Sequence, residues 1–129
     1  MKTYAKGSRA EREILHYLNH KGFSCVRVPS SGGFISPLDV LAIKKGLILA
    51  FEIKNHKTKP RLNKKQLSSF SEWCRRAGAL GFVAWRRTTP PNLTASERWL
   101  FLRINDAEQG NYEDDNWIER NMLLNALDI

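Results

Sequence analysis

Two short apolar runs around a tight turn constrain this chain more than any other feature. Asp39 opens the run Val40-Leu41-Ala42-Ile43, Lys44-Lys45-Gly46 reads as a turn, and Leu47-Ile48-Leu49-Ala50-Phe51 ends in Glu52-Ile53-Lys54. The pattern predicts a β-hairpin with a carboxylate at the open end of each strand. If Lys44 pairs with Leu47, Asp39 lies directly across from Glu52; a three-residue turn with a glycine bulge would shift that register by one. Like charges directly opposed on neighbouring strands repel. Lys54 follows Glu52 by two residues and shares its face. Such a cluster is a poor way to stabilise a sheet, and a good way to hold a divalent cation and activate a water beside it.

Around the hairpin the chain reads as one domain of 129 residues, long enough for a real core. Ala10, Ile14, Leu15 and Leu18 recur at helical spacing, which predicts a helix over about 6–21 that Gly22 stops. Phe23 to Val28 reads as a short strand, and Pro29 to Pro37 as a loop by composition. A second helix is predicted over about 63–77, with Leu67, Phe70, Cys74 and Ala77 along one side. Leu80–Trp85 and Glu97–Ile104 read as strands, and 117–127 as a short helix or an irregular segment. The order α-β-β-β-α-β-β implies an α/β fold with a mixed sheet flanked by helices.

Charge divides the chain. Residues 1–105 hold twenty of the twenty-one Lys and Arg against six acids, a net of +14, whereas 106–129 hold seven acids and only Arg120. A basic body with an acidic tail suits a polyanion, nucleic acid first, although a solvated basic surface is the bland alternative. The candidates are Arg27, Lys44, Lys45, Lys57, Lys59, Arg61, Lys64, Lys65, Arg75 and Arg76, making phosphate contacts or supplying only a positive field. No apolar stretch is long enough to span a membrane, and no signal peptide is evident. Cys25 and Cys74 are too few for a disulfide framework, so an intracellular compartment is expected.

Other constellations are weaker. Glu11 borders the packed face of the first helix, where an ion pair is the ordinary reading. Ser31 and Gly32 precede Asp39 in the loop; turn chemistry explains them, and so does a hydroxyl with close backbone approach at a phosphate. Neither GxGxxG nor GxxxxGK[ST] occurs, so no nucleotide cofactor is expected. His16 and His20 have the spacing of a zinc pair but lack the Glu of HExxH, and a solvent-facing pair is the better reading.

Taken in order, Lys6-Gly7-Ser8-Arg9-Ala10-Glu11-Arg12-Glu13, Lys21-Gly22-Phe23 to Arg27, Pro29-Ser30-Ser31-Gly32, Asp39-Val40-Leu41-Ala42 and Glu52-Ile53-Lys54 resemble the archaeal Holliday junction resolvases. These belong to the restriction-endonuclease-like superfamily of D…ExK nucleases. The D…ExK signature alone is weakly specific; the N-terminal and glycine-rich matches make the resemblance strong over about 6–105. It implies a restriction-endonuclease-like fold and a single nuclease domain over 1–129, with 106–129 an acidic tail. It implies a structure-selective endodeoxyribonuclease, Mg²⁺-dependent with Mn²⁺ as a possible substitute, that resolves four-way junctions by paired cuts. By the resemblance, Asp39 and Glu52 are metal ligands with the Ile53 carbonyl as a third. Glu11 completes the outer shell, and Lys54 and Ser31 complete the catalytic set. Arg12 and Arg27 touch DNA, and Ser30 and Gly32 share the loop that would meet it. The resemblance also implies branched double-stranded DNA as partner, a homodimer, and an archaeal or archaeal-virus setting in cytoplasm or nucleoid. A dimer needs apolar surface, for which Phe82, Trp85, Trp99 and Phe101 are candidates if they are not core. The rival readings are a nuclease for nicked, flapped or branched DNA in repair or replication, and a non-catalytic DNA-binding module.

Overall fold

The computed structural model describes residues 3–29 and 36–128, with side chains from residue 8 onward. Helix α1 (Thr3–His20) is followed by β1 (Ser24–Arg27), β2 (Val40–Lys44) and β3 (Leu47–His56). Helix α2 (Lys64–Ala77) leads into β4 (Leu80–Arg87), the short α3 (Ala95–Arg98) and β5 (Trp99–Arg103). The C-terminal part holds α4 (Ile104–Glu108), a 3₁₀ turn Asp114–Asn116, β6 (Trp117–Glu119), a second 3₁₀ turn Arg120–Met122 and α5 (Leu123–Ala126). The six strands form one sheet in sequence order. Every neighbouring pair is antiparallel except β3–β4, which is parallel. That exception follows from chain order: parallel neighbours need a long crossover, and α2 supplies it.

Alternation along the strands sends apolar side chains to both faces. On one face Ala10, Ile14 and Leu18 of α1 pack on Val40, Leu49, Phe51, Phe82 and Phe101. On the other, Phe70 and Cys74 of α2 pack on Ala50, Val83, Leu102 and Ile104. Helix α2 is well defined at both ends. The Asn63 side chain accepts from the Gln66 N–H at 2.8 Å and the Gln66 side chain accepts from the Asn63 N–H, a capping box. Gly78 closes the helix at φ 68°, where a side chain would be strained.

Three expectations change. The strand predicted from Glu97 begins at Trp99, because Thr94 and Glu97 form a reciprocal capping box that turns 95–98 into helix. The region 117–127 contributes the edge strand β6, paired to β5, before the turn of α5. Phe82, Trp85, Trp99 and Phe101 leave no interface surface: all four are buried, packed by stacked or edge-on ring contacts within the two cores. No described helix is long and apolar enough to cross a membrane.

Candidate active site

Register builds the site. Lys44 pairs with Leu47 and Val40 with Phe51, so the next pair outward sets Asp39 across from Glu52. At Asp39 the ladder changes. Its N–H donates to the Phe51 carbonyl at 2.8 Å, and its own carbonyl accepts from the Val28 N–H at 2.8 Å. Its carboxylate takes the next position: Oδ2 accepts the Ile53 N–H at 2.7 Å. A side chain thereby replaces a backbone acceptor and is fixed at the end of the hairpin.

Asp39 and Glu52 are the only buried polar side chains among the described residues, each 8 % exposed. Burial beside a second carboxylate opposes the ionisation of Glu52. Burial first, and then the Asp39 charge, push the Glu52 carboxyl up to about 8, against the pull of Lys54. Glu52 Oε1 is buried and has no hydrogen-bond partner, while Oε2 lies 3.5 Å from Lys54 Nζ. An orphaned carboxylate oxygen beside a second carboxylate is what a divalent cation would complete. The donor chemistry therefore fits a metal held by Asp39 and Glu52, with other positions left to backbone carbonyl oxygens and water.

Glu11 lies on the flank of α1 nearest this pair. Arg27 Nε on β1 is 2.5 Å from Glu11 Oε1. Burial raises the Glu11 carboxyl above its ordinary value; Arg27 draws it back and Asp39 pushes it further up. The influence of Asp39 shows that the helix brings Glu11 into the electrostatic range of the hairpin. Glu11 is not grouped with the pair as a third ligand, since no three His, Cys, Asp or Glu among the described residues are placed to hold a metal. The exposed His16 and His20 form no such group either.

Of the expected DNA contacts, Arg12, Arg27, Lys57, Lys59, Arg61, Lys64, Lys65, Arg75 and Arg76 are all exposed. Several already have neighbours within the chain. Arg12 donates to Ser8 Oγ at 2.8 Å, and Arg75 pairs with Glu72 at 2.5 Å. Lys59 pairs with Asp114 at 2.5 Å, and the Arg61 guanidinium lies 4.3 Å over the Tyr112 ring. The acidic C-terminal segment thus meets the basic connection that follows β3. Ser30, Ser31 and Gly32 lie outside the described residues.

Glu13 and Arg86 escaped the sequence reading. Glu13 accepts from Arg86 Nε and Nη2 at 2.8 and 2.9 Å and from the Trp99 indole N–H at 3.0 Å. Arg86 Nη1 also donates to Asn55 Oδ1 at 3.3 Å. Burial opposes the Glu13 charge, but the bonds from Arg86 and Trp99 outweigh it and hold the carboxyl below its ordinary value. This network ties α1, two residues from Glu11, to the ends of β3 and β4. Its partners are 73 and 86 residues apart, so no local pattern could have revealed it.

A mixed sheet flanked by helices, with opposed acids and a lysine at the end of a central hairpin, defines a restriction-endonuclease-like nuclease. The chain superposes on the Holliday junction resolvase Hjc of Archaeoglobus fulgidus with a TM-score of 0.59 at 27 % identity, over 78 % of this chain and 74 % of that one. The chain belongs to the archaeal Holliday junction resolvase (Hjc) family, whose sequence model it matches over residues 2–128. It is 31 % identical over 128 residues to the crossover junction endodeoxyribonuclease Hjc of Sulfurisphaera tokodaii, covering 95 % of this chain and 85 % of that relative. The Methanocaldococcus jannaschii Hjc is 42 % identical over 73 residues, 54 % of this chain and 52 % of the relative.

Proposed function

We propose that this chain is a magnesium-dependent endonuclease that resolves four-way DNA junctions as a homodimer. The observation that carries the reading is the buried Asp39–Glu52 pair with its orphaned oxygen, in a chain that matches the resolvase family over residues 2–128. Asp39 and Glu52, with the Ile53 carbonyl, hold the cation. A cation held there would supply Lewis-acid charge at the scissile phosphate and lower the pKa of a water so that it could lose a proton and act as nucleophile. Lys54, beside Glu52, supplies a positive charge where negative charge develops on the phosphate oxygens. Glu11 orients water at the edge of the site, and Arg27 holds Glu11 in place. Ser31, with Ser30 and Gly32, contacts the backbone of the strand being cut.

The exposed cations of the connection after β3 and of α2, with Arg12 and Arg27, contact phosphates and position the duplex arms without reading sequence. One site makes one cut, so paired cuts require a second copy; a closed two-fold dimer matches the symmetry of a four-way junction. Residues 1–129 act as a single nuclease domain, and β6 in its acidic tail 106–129 forms the far edge of the sheet. An archaeal-type intracellular setting suits a DNA enzyme of this family.

A synthetic four-way junction, a flapped duplex and a linear duplex, each incubated with Mg²⁺, with Mn²⁺ or without metal, test the reading. Paired, metal-dependent cuts near the junction centre are expected. Preference for the flap would move the substrate to another branched DNA, and binding without any cleavage would leave a non-catalytic module.

A further inference from the structure

A second basic feature lies on the flank of α1 opposite Glu11. A cleft of about 480 Å³ opens there, lined by His16, Tyr17 and His20 of α1 and by Arg86, Arg98 and Arg120. We infer that this cleft is a phosphate-binding subsite that seats the backbone of a DNA arm leaving the catalytic centre. The inference rests on the junction-nuclease reading for its choice of DNA as the polyanion.

The arginines are fixed, and two of the three, Arg98 and Arg120, stand outside every described ion pair. Arg86 is neutralised by Glu13, which forms part of the same wall. Arg98 is held by neutral acceptors only: Nη1 donates to the Arg87 carbonyl at 2.7 Å, and Nη2 to the carbonyls of Pro91 and Leu93 at 2.9 and 3.3 Å. Arg120 is pinned from both ends. Its guanidinium lies 4.5 Å over the Tyr17 ring, and the Tyr17 hydroxyl donates to its carbonyl at 2.7 Å. Yet Arg120 Nε is buried with no hydrogen-bond partner. Neither Arg98 nor Arg120 belongs to a described ion pair. Pre-organised guanidiniums beside exposed imidazoles are suited to phosphate oxygens, which they meet without losing side-chain freedom.

Position supports the assignment. Arg86 stands next to Asn55 in the β3–β4 register, and Asn55 follows Lys54. The cleft therefore opens at the same end of β3 and β4 as the Asp39–Glu52 centre but on the other face of the sheet, where a DNA strand leaving the centre would pass around the strand ends. None of these lining residues is in the basic group after β3 and on α2, so the cleft widens the DNA path to the other side of α1.

The test is fluorescence anisotropy of a labelled four-way junction, without divalent cation, across a potassium chloride series. It uses wild type, Arg120→Gln, Arg120→Lys and His16→Glu, with thermal melts as a check on folding. His16 is exposed, so His16→Glu decides the matter if Arg120→Gln fails to fold. Arg120→Gln and His16→Glu should each weaken binding at least about threefold, and Arg120→Gln should flatten the log–log salt slope by about 0.9, the contribution of one phosphate. Arg120→Lys should restore the slope. Wild-type affinity and slope in both folded variants would overturn the inference. So would saturation of the Arg120 Nε resonance by sub-millimolar inorganic phosphate with junction affinity unaffected by either variant, since the cleft would then serve a free anion. A wild-type protein that binds the junction but never cuts it defeats only the nuclease reading; one that does not bind it defeats both.

Discussion

At the residue scale the centre is a balance of charges that the apo fold holds at a cost. The Glu52 carboxyl titrates near 8 in the fold and near 4.5 when free, so between those values the folded state keeps a proton that the unfolded chain releases. That contribution to stability is fully present below about 4.5 and is lost as pH rises through about 8. Urea unfolding of the metal-free protein across this window should show stability falling with pH relative to Glu52→Gln, and Mg²⁺ should flatten the difference. Parallel pH curves for the two proteins would show that Glu52 is not held protonated. Glu11 behaves differently. Its partner Arg27 is 44 % exposed, and pairs of that kind are worth about 1 kcal/mol or less. Glu11→Gln should therefore slow cleavage strongly and leave the melting temperature nearly unchanged. A large fall in melting temperature with normal specific activity would make Glu11 a structural residue.

At the element scale the hairpin was readable because its information is local. Apolar runs on either side of Lys44-Lys45-Gly46 left two registers open, and the one with Lys44 across from Leu47 is the one that brings Asp39 to Glu52. Alternation then puts Lys54 beside Glu52. The two main helices were equally legible from Ile14 and Leu18, and from Phe70 and Cys74. What stayed hidden depends on distant partners. The Glu13–Arg86–Trp99 network joins three elements, and β6 becomes a strand only because β5 offers it an edge. The Thr94–Glu97 capping box was present in the sequence, but the apolar run after it suggested a strand that started too early. Packing of α2 on β4 is set by one small residue: a Cβ at Gly81 would stand 2.7 Å from Cys74 Sγ and 3.3 Å from Ile104. Gly81→Ala should destabilise the protein by about 1–3 kcal/mol through overpacking, read as a lower urea midpoint, with cleavage by the folded fraction retained. An unchanged midpoint would mean that α2 can shift freely on the sheet.

At the scale of the whole molecule, the proposed function rests on charge and on a second copy of the chain. The +14 body must meet a polyanion whose counterions are released on binding, so junction affinity should fall steeply with salt, about −0.9 in log–log slope per phosphate neutralised. Paired cuts need two centres at fixed spacing, so sedimentation at micromolar concentration should report twice the chain mass. A monomer that still makes symmetric paired cuts would contradict the dimer. In the proposed dimer, any apolar contact between copies would come from surface other than Phe82, Trp85, Trp99 and Phe101, which the sheet itself buries.

The Asp39–Glu52 pair is proposed as a metal-dependent catalytic centre and not a strained structural feature. Single-turnover cleavage of a four-way junction by Glu52→Gln in Mg²⁺, measured beside junction binding by the same preparation, tests it most directly. Cleavage should be abolished while binding stays equal to wild type or tighter. Cleavage within a few-fold of wild type would contradict it.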